Sequence, residues 1–174
     1  MRSNFIWKVI LSGFIISYFS PLNAQAGKKS SHETELKRTV SDIRESILKK
    51  DVDHLAQYIG PDGLDCTDTQ FSYAEVITAL KDKSSPLYLS LFNNKLFKKK
   101  CGQEYPDEYP AISDHEFFQT AKDLKVEVSD LEPDWVKVKI ISSVKHQYPR
   151  EWTFHRVKGE WKITGGILMR CSCG

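Results

Sequence analysis

The sequence has little net charge, with 25 Lys and Arg residues against 23 Asp and Glu residues and a formal charge of +2 at pH 7. The excess comes from Arg2 and Lys8, because the first 26 residues contain no Asp or Glu. Without that segment the chain is formally neutral. Proteins that bind nucleic acids neutralise the phosphate backbone with a surplus of Lys and Arg. The composition therefore argues against a nucleic acid as partner.

The sequence also lacks an apolar run long enough to cross a membrane. Its first apolar run covers residues 9–19, whereas a hydrocarbon core about 30 Å thick needs about 20 residues of helix. Arg2 and Lys8 precede this run, and the small residues Ala24 and Ala26 follow it, as in a cleavable signal peptide. We interpret residues 1–26 as a signal peptide cleaved after Ala26. The mature chain is then expected in the periplasm or secreted, without a stable membrane anchor.

Cysteine is sparse, and all four cysteines follow the predicted signal peptide, at Cys66, Cys101, Cys171 and Cys173. An even number in an oxidising compartment predicts two disulfide bonds. A bond between Cys171 and Cys173 would close a strained ring, so we expect both to bond back to Cys66 and Cys101, in either order. The alternative is that Cys171 and Cys173 form a metal-binding or redox pair.

Histidine is also scarce and shows no metal-binding pattern. The five histidines lack the spacing of two or four residues that brings two imidazoles to one metal ion; they are His32, His54, His115, His146 and His155. We therefore expect no metal ion and no cofactor. The first three fall in first turns of predicted helices and are expected to be solvated.

Helix starts are predicted by three Ser-x-x-Glu capping boxes, one capping Asp and one Pro at a first helical position. They lie at Ser30, Ser72, Ser113, Asp51 and Pro86. Apolar residues at helical spacing follow the first two boxes. The pattern lapses between residues 93 and 112, and this segment is predicted to be a surface loop.

After residue 121 the apolar period changes from about 3.6 to 2, which predicts an antiparallel sheet with one buried and one solvated face. Alternation over residues 124–128, 136–144, 152–154 and 161–163 indicates about four strands. Residues 131–134 are predicted to join the first two strands.

The last hairpin allows a prediction of register. A two-residue turn at Lys158 and Gly159 pairs Phe154 with Ile163 and places His155 on the solvated face opposite Lys162. Trp152 and Phe154 reach the buried face only if the preceding loop has an odd length, three or five residues. His146 then points inward at the end of the sheet.

The order of a long helix, a short helix, further helices and an antiparallel sheet, ending in Trp152-Thr-Phe154 and Gly159-Glu-Trp161-Lys-Ile163-Thr-Gly165, resembles the nuclear transport factor 2-like superfamily. The resemblance implies a single α+β domain over residues 27–174, in which helices pack on a strongly curved sheet to form a cone. That superfamily includes ketosteroid isomerases, polyketide cyclases, dehydratases and non-catalytic binding subunits. Residues 63–92 also resemble exported bacterial members of uncharacterised function.

Few residues are candidates for catalysis. The enzymes of the superfamily place Asp, His or Tyr inside the cone, and no motif here matches theirs. The candidate acid and base are His146 with Asp65 or Asp68, although Asp is also common in turns. The expected pocket is lined by Tyr73, His146 and Trp152. The indole rings of Trp135, Trp152 and Trp161 form either an aromatic wall or part of the core.

A pocket without a matching acid and base leads us to expect a non-catalytic exported domain. It would bind a small apolar molecule in the cone or a protein partner over the open face of the sheet, and a homodimer is compatible with this interpretation. One alternative is an isomerase or hydrolase of small molecules that uses His146 with an Asp. Another is an inhibitor or immunity protein for a secreted enzyme.

The signal peptide and the disulfide bonds predict the intact mass of the mature protein. Material from the exported fraction should begin at residue 27 and gain two hydrogens per disulfide on reduction, as measured by mass spectrometry. An uncut amino end with a mass that reduction leaves unchanged would contradict both predictions.

Overall fold

The computed structural model describes residues 22–66, 69–101, 112–132, 134–145 and 147–166, together with Cys171 and Cys173. Its helices are α1 (Leu22–Lys49), α2 (Val52–Ala56), α3 (Tyr73–Lys81), α4 (Pro86–Phe92), α5 (Asn94–Cys101) and α6 (Asp114–Thr120). Its strands are β1 (Leu64–Cys66), β2 (Thr69–Phe71), β3 (Leu124–Glu132), β4 (Trp135–Ser142), β5 (Arg150–Val157) and β6 (Glu160–Gly166). Helices followed by a sheet confirm the predicted α+β class. In this part of the chain no helix combines the length and hydropathy needed to cross a bilayer.

Capping chemistry determines where most of the helices begin. Ser72 and Ser113 each form a complete capping box with the Glu three residues later, and Asp51 and Ser85 cap α2 and α4. The predicted box at Ser30 is wrong as a helix start, because α1 runs without a break from Leu22. A Ser-x-x-Glu sequence inside a helix has no free amide groups to cap.

The predicted loop over residues 93–112 is also wrong in its first part, which forms α5. No residue of α5 is buried, and it carries three consecutive lysines in its last turn. A helix that buries no apolar face leaves no periodic signal in the sequence.

The sheet has six strands rather than four, in the order β2-β1-β6-β5-β4-β3. In addition to the four predicted strands, the sheet contains β1 and β2, a short antiparallel pair for which no strand was predicted. Strand β1 pairs with β6 in parallel through Asp65 and Gly165, so the sheet is mixed. Strands of three residues are too short to show a period of 2, and the pairing of β1 with β6 is non-local.

The register of the last hairpin is confirmed: Phe154 pairs with Ile163, and His155 pairs with Lys162. The loop between β4 and β5 has an odd number of residues, as predicted. The predicted length of three or five residues is wrong, because nine residues separate the last pair, Ile140 and Arg150. Strand β3 extends to Glu132, beyond its predicted end.

A β-bulge interrupts β6 just after this matched region. Thr153 pairs with Gly165 and Phe154 pairs with Ile163, so Thr164 is the extra residue. An extra residue reverses which face the following side chains occupy. A Cβ atom on Gly165 would lie 3.9 Å from Thr153 Cβ on the outer face, whereas one on Gly166 would lie 3.0 Å from Trp152 Cδ1 on the inner face.

The core lies between the inner face of the sheet and the helices. The predicted apolar stripe of α1 is buried there, together with large side chains of α6 and β5. The largest of these, each at most 2% exposed, are Trp152, Phe117, Phe118 and Phe154. At about 25 cal/mol per Å² of buried apolar area, such aromatic side chains each contribute several kcal/mol.

One ion pair is buried in this core. Arg150 of β5 and Asp114 of α6 are 1% and 3% exposed, and Arg150 Nε donates to Asp114 Oδ1 at 2.5 Å. Arg150 Nη2 also donates to Ile112 O at 3.0 Å, and its guanidinium carbon lies 4.4 Å from the centre of the Phe117 ring. Burial raises the pKa of the Asp114 carboxyl, and the Arg150 guanidinium opposes that shift. The pair fixes the start of α6 to β5.

The four cysteines form two disulfide pairs. Cys66 pairs with Cys171 and Cys101 with Cys173, with Cα atoms 5.9 Å and 4.8 Å apart. As predicted, Cys171 and Cys173 bond to Cys66 and Cys101. The structure assigns which of the two pairings is formed. Neither thiol of Cys171 or Cys173 is free to hold a metal ion, so the alternative of a metal-binding or redox pair is wrong.

The buried pair predicts an asymmetric effect of mutation. Arg150→Met should lower the free energy of unfolding by about 3–5 kcal/mol, because it leaves the Asp114 carboxylate buried without a partner. The double variant Arg150→Met, Asp114→Leu should lose less unfolding free energy than Arg150→Met alone, because it leaves no unpaired buried charge. Urea unfolding measures both.

The control is Lys49→Met, which breaks the exposed pair with Glu45 and should leave the urea midpoint unchanged. A double variant less stable than Arg150→Met would contradict this account of the pair.

Candidate functional site

The structure describes two of the three residues predicted to line one pocket. Trp152 lies in the core, with its ring 5.8 Å from that of Phe118 and 6.3 Å from that of Phe154. Tyr73 is the first residue of α3 and is 42% exposed. Neither residue lines either of the two cavities described below. His146, the third predicted pocket residue, lies outside the described residues.

Of the candidate acid and base residues, the structure describes only Asp65. It lies on β1, exposed on the outer face of the sheet, and not in a turn. Asp68 and His146 lie outside the described residues, so the predicted acid–base pair stays a prediction.

Asp65 lines a cavity of about 330 Å³ on the outer face of the sheet, which we call the outer pocket. Its other lining residues come from the turn before β1 and from β2, β4, β5 and β6. They are Asp62, Gly63, Gln70, Trp135, Thr153, Thr164 and Gly165. Two carboxylates, an amide, two hydroxyls and an indole therefore meet in one recess.

The outer pocket exists because the middle of a row of side chains is missing. One row of paired residues crosses all six strands, in the order Gln70, Asp65, Gly165, Thr153, Lys137 and Ser129. Gly165 contributes no side chain to this row, and a Cβ atom there would lie 3.2 Å from the Asp65 carbonyl oxygen and 3.6 Å from Asp65 Cβ. Glycine in a strand commonly marks such a close approach of neighbouring backbone.

An aromatic pair borders the outer pocket. The rings of Trp135 and His155 are stacked, with centroids 4.3 Å apart and planes inclined by 11°. Their stacking follows from the register, because Trp135 of β4 is paired directly with His155 of β5. His155 therefore supports the half-buried indole from the side of its own strand.

The wall that carries Asp65 is held by few backbone contacts. The register of β1 with β6 is the single pair Asp65 and Gly165, with a parallel bridge between Ile59 and Ile163 nearby. The Cys66–Cys171 disulfide immediately follows Asp65 and joins β1 to the chain beyond β6. It is the covalent restraint next to the pocket.

A second cavity, of about 470 Å³, lies beside α3 and α4. Ala74, Thr78 and Pro86 line it, and Lys100 and Cys171 border it. Lys100 Nζ donates to Ser84 O at 2.5 Å and so already has a partner. This groove brings together none of the predicted site residues.

The histidines predicted to be solvated are instead half-buried, so that prediction is wrong. His32, His54 and His115 contact Arg156, Ser46 and the backbone of Leu48, respectively. Burial, together with the nearby charge of Lys50, lowers the pKa of His115. Among the described residues, no three His, Cys, Asp or Glu side chains are grouped so that they could hold a metal ion.

Sequence reasoning identified Asp65 and considered Trp135, but missed Asp62, Gln70, Thr153 and Thr164. Their meeting depends on the parallel pairing of β1 with β6, which joins residues about a hundred positions apart. The one signal was the Gly165-Gly166 pair at the end of a predicted strand, since glycine there marks a bulge or close approach.

No protein-family model matches this sequence, and no curated protein matches it. Among solved structures, it is similar to an NTF2-like protein of unknown function from Shewanella oneidensis, with 14% identity over 77% of this chain and 95% of that chain and a TM-score of 0.41. An NTF2-like protein with a cystatin-like fold from Novosphingobium aromaticivorans has 12% identity over 87% of this chain and 88% of that chain, with a TM-score of 0.44.

A protein of unknown function from Mycobacterium tuberculosis has 8% identity over 87% of this chain and 76% of that chain, with a TM-score of 0.42. None of the three descriptions states a function that could be considered for this chain.

The disulfide next to the outer pocket predicts a local effect. The double variant Cys66→Ser, Cys171→Ser should lose about 2–5 kcal/mol of unfolding free energy and, in addition, the protection of the amides of residues 64–66 against hydrogen exchange. The cause is that β1 would then be held beside β6 by one register pair and the neighbouring Ile59–Ile163 bridge, without a covalent link.

The matched control is Cys101→Ser, Cys173→Ser, which opens a loop of 72 rather than 105 residues. It should lose comparable stability but keep the protection of residues 64–66. Equal protection in both double variants would contradict the proposed restraint.

Proposed function

We propose that this protein is a non-catalytic binding domain that acts outside the cytoplasm and binds its ligand on the outer face of the sheet. The observation that carries the proposal is the contrast between the two faces. The inner face is covered by fully buried side chains, whereas the outer face carries a recess lined by converging polar groups.

The buried side chains give no support to catalysis inside the cone. Asp114 and Arg150 are the only ionisable residues among the buried side chains that the structure describes. They are hydrogen-bonded to each other, and Arg stays protonated in proteins. A general base needs a proton-accepting atom within reach of a substrate, and the Asp114 carboxylate is only 3% exposed and already accepts from Arg150.

The outer face has the features of a recognition surface. Its exposed charges alternate in sign, as in the pairs Lys125–Glu127 and Lys139–Glu151, and so give the surface no strong field of one sign. Binding sites for small ligands are typically concave and have a few well-placed polar groups. The outer pocket fits this description in the middle of an otherwise flat, solvated face.

The two disulfides support a location outside the cytoplasm. Structural disulfides persist in oxidising compartments and are rare in the reducing cytosol. Together with the predicted signal peptide, they favour the periplasm or the medium.

Nuclear magnetic resonance of the isotope-labelled chain of residues 27–174 tests the proposal. Screening with a library of small metabolites should give saturable shifts of amide signals clustered around Asp65, Thr153 and Gly165. Thr153→Arg should abolish these shifts, because its long side chain fills the pocket. Ser129→Arg, the same kind of change in the same row but on β3, should leave them intact.

Shifts clustered instead around the core residues Phe117 and Trp152 would contradict the proposal. Chemical turnover of any bound metabolite would contradict its non-catalytic part.

A further inference from the structure

We infer that the outer pocket binds one neutral, hydroxyl-rich ring of the size of a single sugar. This inference rests on the proposed function and names the class of ligand for the same site. Three properties carry it: the volume of the pocket, its mixed hydrogen-bonding groups and its aromatic border.

The volume limits the ligand to a single ring. Small-molecule pockets range from about 300 to 1,000 Å³, and the outer pocket, at about 330 Å³, lies at the lower end. A six-membered ring with its hydroxyl groups and a few bridging waters fits this space, whereas a fused-ring ligand or a chain of several sugars would extend onto the open sheet.

The lining groups both donate and accept hydrogen bonds. The carboxylates of Asp62 and Asp65 accept only, while the Gln70 amide and the Thr153 hydroxyl can do both. The Thr164 hydroxyl donates to Thr153 O at 3.4 Å and can still accept. A sugar hydroxyl also donates and accepts, so neighbouring hydroxyls can be satisfied together. None of the lining residues that the structure describes is Lys or Arg, so a phosphate or carboxylate ligand would meet two like charges in the lining. Lys137, the cation nearest in the row, lies outside the lining.

The indole of Trp135 supplies the apolar part of the site. One face of a sugar ring presents C–H groups, which pack on aromatic rings, while the hydroxyls at its edge remain available for hydrogen bonds. The stacked His155 ring holds the indole in place, so little side-chain entropy remains to be lost on binding.

A cationic amine is the competing ligand, because the recess contains two carboxylates. Asp62 and Asp65 are both exposed, and ion pairs between exposed groups contribute little because water and salt screen them. The oxygens of the amide and the hydroxyls and the indole face could also contact an ammonium group, but the donor hydrogens of Gln70 and Thr153 would find no acceptor in it. A neutral polyol uses every group in the lining.

Titration of the labelled chain of residues 27–174 with single compounds tests the inference. The probes are glucose, galactose, mannose, myo-inositol, glucuronate and spermidine. At least one neutral compound should give saturable shifts at Asp65, Thr153 and Gly165, unchanged by a rise in salt, and glucuronate should bind more weakly than glucose.

Variants then assign the binding to the outer pocket. Trp135→Ala should weaken binding of the neutral ring roughly tenfold, and Asp65→Asn should weaken it at least about tenfold because it replaces a charged acceptor. Trp135→Phe keeps an aromatic ring and should retain most of the affinity. Ser129→Ala lies in the same row, outside the pocket, and should have no effect.

Gly165→Val would fill the outer pocket directly and should abolish binding. This result counts only if the variant unfolds at the same temperature as the parent chain. Asp65→Asn replaces a charged acceptor by an amide and Thr153→Val removes a hydroxyl, both at nearly constant shape, so they test the site even where Gly165→Val does not fold.

The outcomes separate this inference from the proposed function. Binding of spermidine or glucuronate alone, or no shift with any neutral probe, overturns the sugar-like ligand. If another metabolite still binds at Asp65 and Gly165, the proposed function stands although the inference of a sugar-like ligand fails. If no compound in the library shifts the outer face, both fail.

Discussion

The extra residue in β6, Thr164, is the constraint on which both faces of the sheet depend. Side chains alternate along a strand, so one inserted residue exchanges the faces of all that follow. Gly166 is thereby placed against the Trp152 indole, and Gly165 is placed on the outside next to Asp65. One local irregularity leaves space for the largest core side chain and opens a recess behind it.

The rest of the fold holds that irregularity in position from two sides. On one side, the buried pair of Arg150 and Asp114 joins β5 to the start of α6. On the other, the disulfide between Cys66 and Cys171 holds β1 beside β6. Burial of apolar area favours compactness but does not select one geometry. The directional and covalent links select the arrangement in which the lining of the outer pocket comes together.

Features encoded by neighbouring residues could be predicted from the sequence. The boxes at Ser72 and Ser113 and the register of the last hairpin depend on contacts within a few positions, and the structure has them as predicted. The helix over residues 94–101 was missed because none of its residues is fully buried. Strand β1 was missed because three residues are too few to show a period. The site around Asp65 was missed because its partner Gly165 is far away in the chain and their pairing is only one residue long.

The order of the cysteines has a consequence for how the protein matures. A chain that enters an oxidising compartment amino end first exposes Cys66 and Cys101 there before Cys171 and Cys173 arrive, yet these two early thiols are not partners in the finished protein. Each final bond joins one early thiol to one late thiol, and the two bonds interleave along the chain. In such a compartment, maturation requires either that oxidation waits until Cys171 and Cys173 have entered or that a premature bond is exchanged by thiolate attack. These two cysteines thus decide whether the chain is locked by the correct bonds.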